Sequence, residues 1–141
     1  MIVLDTNVIS DLMAPKQNLV VLNWLSMQPA ESIFTTATTQ AEILYGIRIL
    51  PLGRRRSDLE AAALAMFLED MAGRVLPFDG KAADIYSGIV AHRRAIGRPM
   101  TQFDAQIAAI ALSRDASVAT RNVADFTDIG LDVINPWDYR S

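Results

Sequence analysis

"MIVLDTNVIS" (residues 1–10) sets three apolar residues, Ile2, Val3 and Leu4, directly before a carboxylate, Asp5. Thr6 and Asn7 follow, and then the chain turns apolar again. A short, unbroken apolar run reads as a strand buried on both faces, as in parallel sheets. The residue to explain is the ionisable group at its end.

Outward from this strand, "NLVVLNWLSM" (18–27) reads as a buried helix that Asn18 caps, and "SIFTT" (32–36) as a second strand. Residues 39–50 suggest a helix that Pro51 ends. "LPLGRRRSD" (50–58) reads as a turn with three consecutive arginines, and 59–72 as a strong helix stopped by Gly73. "RVLPF" (74–78) is a third strand, 80–96 a helix, "GRP" (97–99) a break and 101–114 another helix. "SVAT" (117–120) and "LDVI" (131–134) complete five strands before Asn135, Pro136 and Trp137. Strands that alternate with one or two helices predict a single α/β domain, a parallel sheet covered on both faces.

With 141 residues, 51% of them hydrophobic and 21% charged, the chain is long enough to bury a core. No apolar run reaches the length of a membrane span, and with strand-like sequence at residue 2 no leader is expected. No membrane association and a cytoplasmic location are therefore expected. Cysteine is absent and there is one histidine, His92, so a metal site has to rely on oxygen ligands. His92 reads as an ordinary helix residue. A net charge of −3 argues against a broad basic surface for nucleic acid. Were four acids gathered on one metal, however, twelve acids would face thirteen bases elsewhere.

In an open parallel sheet, ligands bind beyond the carboxyl ends of the strands. Asp5 follows strand one, and Glu42 and Asp104 lie early in the helices after strand two and before strand four. Asn122 and Asp125 follow strand four. Singly, such residues have a structural explanation. Thr39 and Glu42 fit a capping box, Thr101 and Asp104 nearly repeat it, and acids in a first helical turn complement the dipole. Asp5 resists that account, since Thr6 is available to cap the next helix. Capping also gives no reason for these side chains to share one sheet edge. Carboxylates crowded together raise one another's pKa and call for a counter-charge, which Mg²⁺ or Mn²⁺ supplies to an all-oxygen set.

"LDTNVIS", "AEILYG", "FDAQIAAIA" and "VATRNVADF", in this order and spacing, resemble the PIN-domain ribonucleases. Within that family they look most like the VapC/FitB toxins of bacterial type II toxin–antitoxin systems, whose ending "NPWD" (135–138) also resembles. The resemblance covers essentially the whole chain. It implies a three-layer α/β/α domain with a central five-stranded parallel sheet, and a site for Mg²⁺ or Mn²⁺ that hydrolyses RNA phosphodiester bonds. Carried over by residue, the acids are Asp5, Glu42 and Asp104, with Asp5, Asp104 and Glu42 as metal ligands. The fourth catalytic position falls on Asn122 or Asp125. Thr6, Asn7 and Thr120 match positions that line the pocket as hydrogen-bonding supports. The resemblance further implies a homodimer, a small DNA-binding antitoxin and a higher assembly of the two on operator DNA.

Arg54, Arg55 and Arg56 are candidates for RNA phosphate contact, as are Arg93, Arg94 and Arg98, against a solvated face as the plainer account. Leu19, Val20, Val21, Leu22, Trp24 and Leu25, and Leu64, Phe67, Leu68 and Met71, exceed the needs of one small core and offer a protein-binding face. Three readings compete with a toxin nuclease: a PIN nuclease that processes RNA, a catalytically dead regulatory partner, and a Mg²⁺-dependent phosphatase. The last is the weakest. Haloacid dehalogenase-type phosphatases want Asp-x-Asp after strand one, and here Asn7 holds the second place.

Overall fold

The computed structural model describes residues 1–140. Five parallel strands, β1 (Ile2–Leu4), β2 (Ile33–Thr36), β3 (Val75–Leu76), β4 (Ser117–Ala119) and β5 (Val133–Ile134), form one sheet in the order β3-β2-β1-β4-β5. Six helices accompany them: α1 (Thr6–Met13), α2 (Leu19–Ser26), α3 (Ala37–Arg48), α4 (Arg54–Ala65), α5 (Gly80–Ala95) and α6 (Gln102–Ser113).

Alternation along each strand divides the core. Val3 and Val118 face Ile89, Ile107 and Ile110 of α5 and α6. Leu4 and Ala119, one residue on, face Val8, Val21, Trp24, Ile47 and Phe67 from α1, α2, α3 and the turn after α4. Side chains that point alternately to opposite faces therefore produce the expected three-layer α/β/α arrangement with its five-stranded parallel sheet. The register pairs Val3 with Phe34 on one side and with Val118 on the other, so β1 and β4 lie side by side at the centre. Strand order reverses there, and the crevice beyond their carboxyl ends is where such sheets take ligands.

Two boundaries differ from the sequence reading. α3 starts at Ala37 because Thr36, still in β2, accepts a hydrogen bond from the Thr39 amide and is the cap. α4 begins at Arg54, so the arginine triplet forms a first helical turn, and the helix widens into a π turn over Met66–Asp70 before Gly73 at φ +73°. The apolar surplus also divides. Val21, Trp24, Phe67 and Met71 are core, whereas Leu19, Leu64 and Leu68 are 73%, 58% and 64% exposed. No helix among the described residues is long and apolar enough to cross a membrane.

Candidate active site

Asp5 leaves β1 at its carboxyl end and becomes the N-cap of α1, which corrects the expectation that Thr6 caps this helix. Its Oδ1 accepts from the Thr6 amide at 2.8 Å. Its Oδ2 accepts from the Thr120 hydroxyl at 2.8 Å and lies 3.4 Å from Asn7 Nδ2. Thr120 is fully buried at the end of β4, and its oxygen accepts from Asn7 Nδ2 at 3.1 Å and from the Asn122 amide at 3.1 Å. Asn7 Oδ1 in turn accepts from the Arg121 amide at 3.2 Å. One carboxylate, a threonine and an asparagine thus lace the ends of β1 and β4 together.

Glu42 stands in the second turn of α3, not in a capping box, because Thr36 has taken the cap. Its Oε1 accepts from the Thr6 hydroxyl at 2.8 Å. Thr6 Oγ1 also lies 3.1 Å from Thr39 Oγ1. The single Thr6 proton goes to the carboxylate, so Thr39 donates to Thr6. Sequence reading gave Thr39 only to the cap; its actual place in this relay needs the register of α3 against α1. Asp104 sits in the first turn of α6, where Thr101 accepts from its amide at 3.3 Å, so for this acid the capping account holds alongside any other role.

Burial raises the pKa of Asp5, Glu42 and Asp104 alike. Hydrogen bonds from Thr120 and Thr6 pull Asp5 back down, while the charges of Asp104 and Asp125 push it up again. Glu42 is lowered by Thr6 and raised by Asp5 and Asp104; Asp104 is lowered by Thr101 and raised by Asp125. The four acids therefore share one electrostatic basin. Among the described residues none of them has a salt-bridge partner, since the ion pairs are Arg54–Asp58, Arg56–Glu60 and Arg98–Asp128. The one cation that Asp104 feels is Arg93.

An all-oxygen, uncompensated donor set fits a hard divalent cation in charge and in chemistry. It does not close into a cage. Among the described residues no three His, Asp or Glu side chains gather closely enough to hold one ion together. Of the two ways in which Glu42 was expected to act, directly or through a water, the second suits the Thr6 hydroxyl that already holds its Oε1. Mg²⁺ tolerates this, because it dehydrates reluctantly and is usually held by one or two carboxylates, with water completing its shell.

Asn122 precedes a 3-10 turn over Val123–Phe126, and Asp125 lies within it. Both are exposed, and Asp125 is the one whose charge reaches Asp5 and Asp104. Beneath the turn is Arg93, 4% exposed, which donates to the backbone carbonyls of Arg98, Asp125 and Thr127. This overturns Arg93 as a surface contact for nucleic acid: its charge is spent inside the protein, where it fixes the Asp125 turn. Arg98 is paired with Asp128 and Thr127. His92 is an exposed residue of α5. In the arginine triplet, Arg54 and Arg56 reach Asp58 at 4.0 Å and Glu60 at 2.8 Å one helical turn on, and Arg55 has no such partner.

Comparison with known proteins places this geometry in context. A family model described as the PIN domain matches residues 2–130. The chain is 40% identical over 138 residues to VapC ribonuclease Y4jK of Sinorhizobium fredii, covering 98% of this chain and 99% of that protein. It is 36% identical over 137 residues to Toxin FitB of Neisseria gonorrhoeae, covering 97% and 99%. The solved structure of FitAB bound to an IR36 DNA fragment contains a chain that superposes with a TM-score of 0.90 at 35% identity, covering 100% of this chain and 99% of that one.

Proposed function

The chain belongs to the PIN domain family, in its VapC/FitB branch, and from that membership we propose that it is a metal-dependent endoribonuclease, the toxin of a VapBC/FitAB-like pair. The observation that carries the catalytic reading is the shared basin of Asp5, Glu42, Asp104 and Asp125 at one sheet edge, without a salt-bridged cation. Asp5 and Asp104 would hold Mg²⁺ or Mn²⁺, with Glu42 reaching it through a water. A divalent cation, when bound, supplies positive charge to phosphoryl oxygens and acidifies a water.

The chain's own groups do the rest. Thr120 and the Thr6 amide fix both oxygens of Asp5, so its direction does not depend on a ligand. Thr6 occupies Oε1 of Glu42, leaving Oε2 to orient an attacking water and take its proton. Burial raises the pKa of Glu42 and improves it as an acceptor at neutral pH. Asp125, or the side-chain carbonyl of Asn122, faces the leaving-group side. Water as nucleophile makes the RNA 2′-hydroxyl dispensable, so weak cleavage of single-stranded DNA is expected as well.

As to partners, the FitB neighbour was solved with FitA on DNA. By that likeness this chain is the toxin half of a complex that sits on operator DNA, with a small antitoxin and a second copy of itself as protein partners. Exposed Leu19, Leu64 and Leu68 support a protein-covered surface. The alternative of a catalytically dead partner draws on Asn122, a neutral side chain at one of the two candidates for the fourth catalytic position, and it predicts no cleavage by wild type. Induced expression of wild type against Asp5→Asn, with growth and RNA 5′ ends followed, tests the proposal. Arrest and new 5′ ends in wild type alone are expected; equal cleavage by both contradicts it.

A further inference from the structure

Between α1, α3 and α4 lies a cleft of about 320 Å³ whose lining includes Thr6, Glu42 and Arg55. Ile43, Leu50 and Leu59 give the lining an aliphatic part. The cleft is therefore continuous with the catalytic crevice through two residues already placed there. We propose that it is a nucleotide subsite for single-stranded RNA, in which the base beside the scissile bond packs on the aliphatic part of the lining and Arg55 binds its neighbouring phosphate. The proposal rests on the nuclease reading and deepens it.

Three observations carry it. The first is the condition of Arg55. Of its neighbours in the triplet, Arg56 is held by Glu60 and the Leu50 carbonyl, and Arg54 lies 4.0 Å from Asp58 in solvent. Arg55 is exposed and has neither an ion pair nor a hydrogen bond among the described residues. The second is where the cations stand. All three open α4, whose cap, Gly53, offers no side-chain acceptor. Cations there oppose the helix dipole, whereas a phosphate is favoured by it.

The third observation is Gly46. It lies inside α3, where glycine is costly relative to alanine, and lines the cleft. Its φ is not positive, and a Cβ built on it meets nothing within 4 Å, so neither strain nor close packing requires glycine here. What a side chain would do is stand in the cleft. Keeping a cheap stabilisation unused is intelligible if that space receives a ligand. An arginine in the lining favours an anionic one, and the aliphatic side chains beside it suit a base face.

Fluorescence anisotropy with a short single-stranded RNA of mixed sequence, in EDTA so that nothing is cut, tests this on the full chain. Arg55→Ala is expected to weaken binding by about tenfold or more and to lower the slope of log affinity against log salt by about 0.7, one released phosphate contact. Arg54→Ala leaves both unchanged. Gly46→Leu weakens binding while melting at or above the wild-type temperature, which separates a blocked cleft from a damaged fold. An unchanged slope in Arg55→Ala, or wild-type affinity in Gly46→Leu, overturns the subsite. Loss confined to binding of an antitoxin peptide overturns it in favour of a protein-docking groove. If wild type neither binds nor cuts RNA, the nuclease reading falls too; if it cuts and the variants bind as it does, only the subsite falls.

Discussion

Thr120 has no exposed surface, yet it organises the site. It donates to Asp5 Oδ2 while accepting from Asn7 and from the Asn122 amide. Thr120→Val keeps the volume and removes the hydroxyl, leaving Asp5 with one fixed oxygen and three polar partners to rearrange. Activity or Mn²⁺ affinity is expected to fall about 10- to 100-fold, as for other outer partners of metal ligands, and calorimetric titration checks it. Asp5 itself makes a prediction about pH. Burial lifts its pKa above the ordinary 3.8, so the folded state keeps this proton to higher pH than the unfolded chain. Within that window the folded state binds more protons, and the stability contributed by neutral Asp5 is lost as pH rises through it. Metal-free wild type should therefore lose ground to Asp5→Asn as pH climbs from about 4 toward neutrality. A difference in melting temperature that stays constant with pH contradicts this.

At the scale of elements, the turn after β4 is held from below by Arg93, whose guanidinium serves the carbonyls of Asp125 and Thr127. Arg93→Met removes three hydrogen bonds from a buried guanidinium to the part-buried carbonyls of Arg98, Asp125 and Thr127, and is expected to cost about 2 kcal/mol in urea unfolding, with faster amide exchange over residues 122–127. Thr36→Ala removes the α3 cap and should cost about 1 kcal/mol in the same measurement. These two residues also show what was legible in the sequence. Apolar runs and breakers located all five strands, and Asn18, Gly73 and Thr101 marked helix ends correctly, because those signals are local. Thr36 was hidden by a run of four Thr residues around Ala37 in which any could cap; the choice is made by where β2 stops pairing. Arg93 was read as surface because it belongs to a basic run, and only the approach of the β4–β5 connection over α5 buries it.

For the whole molecule, the switch in strand order between β1 and β4 is what draws side chains from residues 5, 42, 104 and 125 into one basin. The acids were visible in the sequence as helix-start and strand-end residues. Their exact spacing was not, since Thr6 holds Oε1 of Glu42 and no three acids close on one point among the described residues. The folded chain thus holds like charges close together, and a bound divalent ion would relieve their repulsion. Mg²⁺ or Mn²⁺ present at 100 times its Kd should stabilise the fold by about 2.7 kcal/mol, seen as a rise in melting temperature that metal-free and EDTA controls lack. The most direct measurement is Mn²⁺ binding followed by electron paramagnetic resonance on wild type, Asp5→Asn and Asp104→Asn. Saturable binding by wild type, lost or sharply weakened in both variants, is the predicted result. Wild type that leaves Mn²⁺ free in solution, or variants that bind it equally well, would show that these carboxylates do not share an ion.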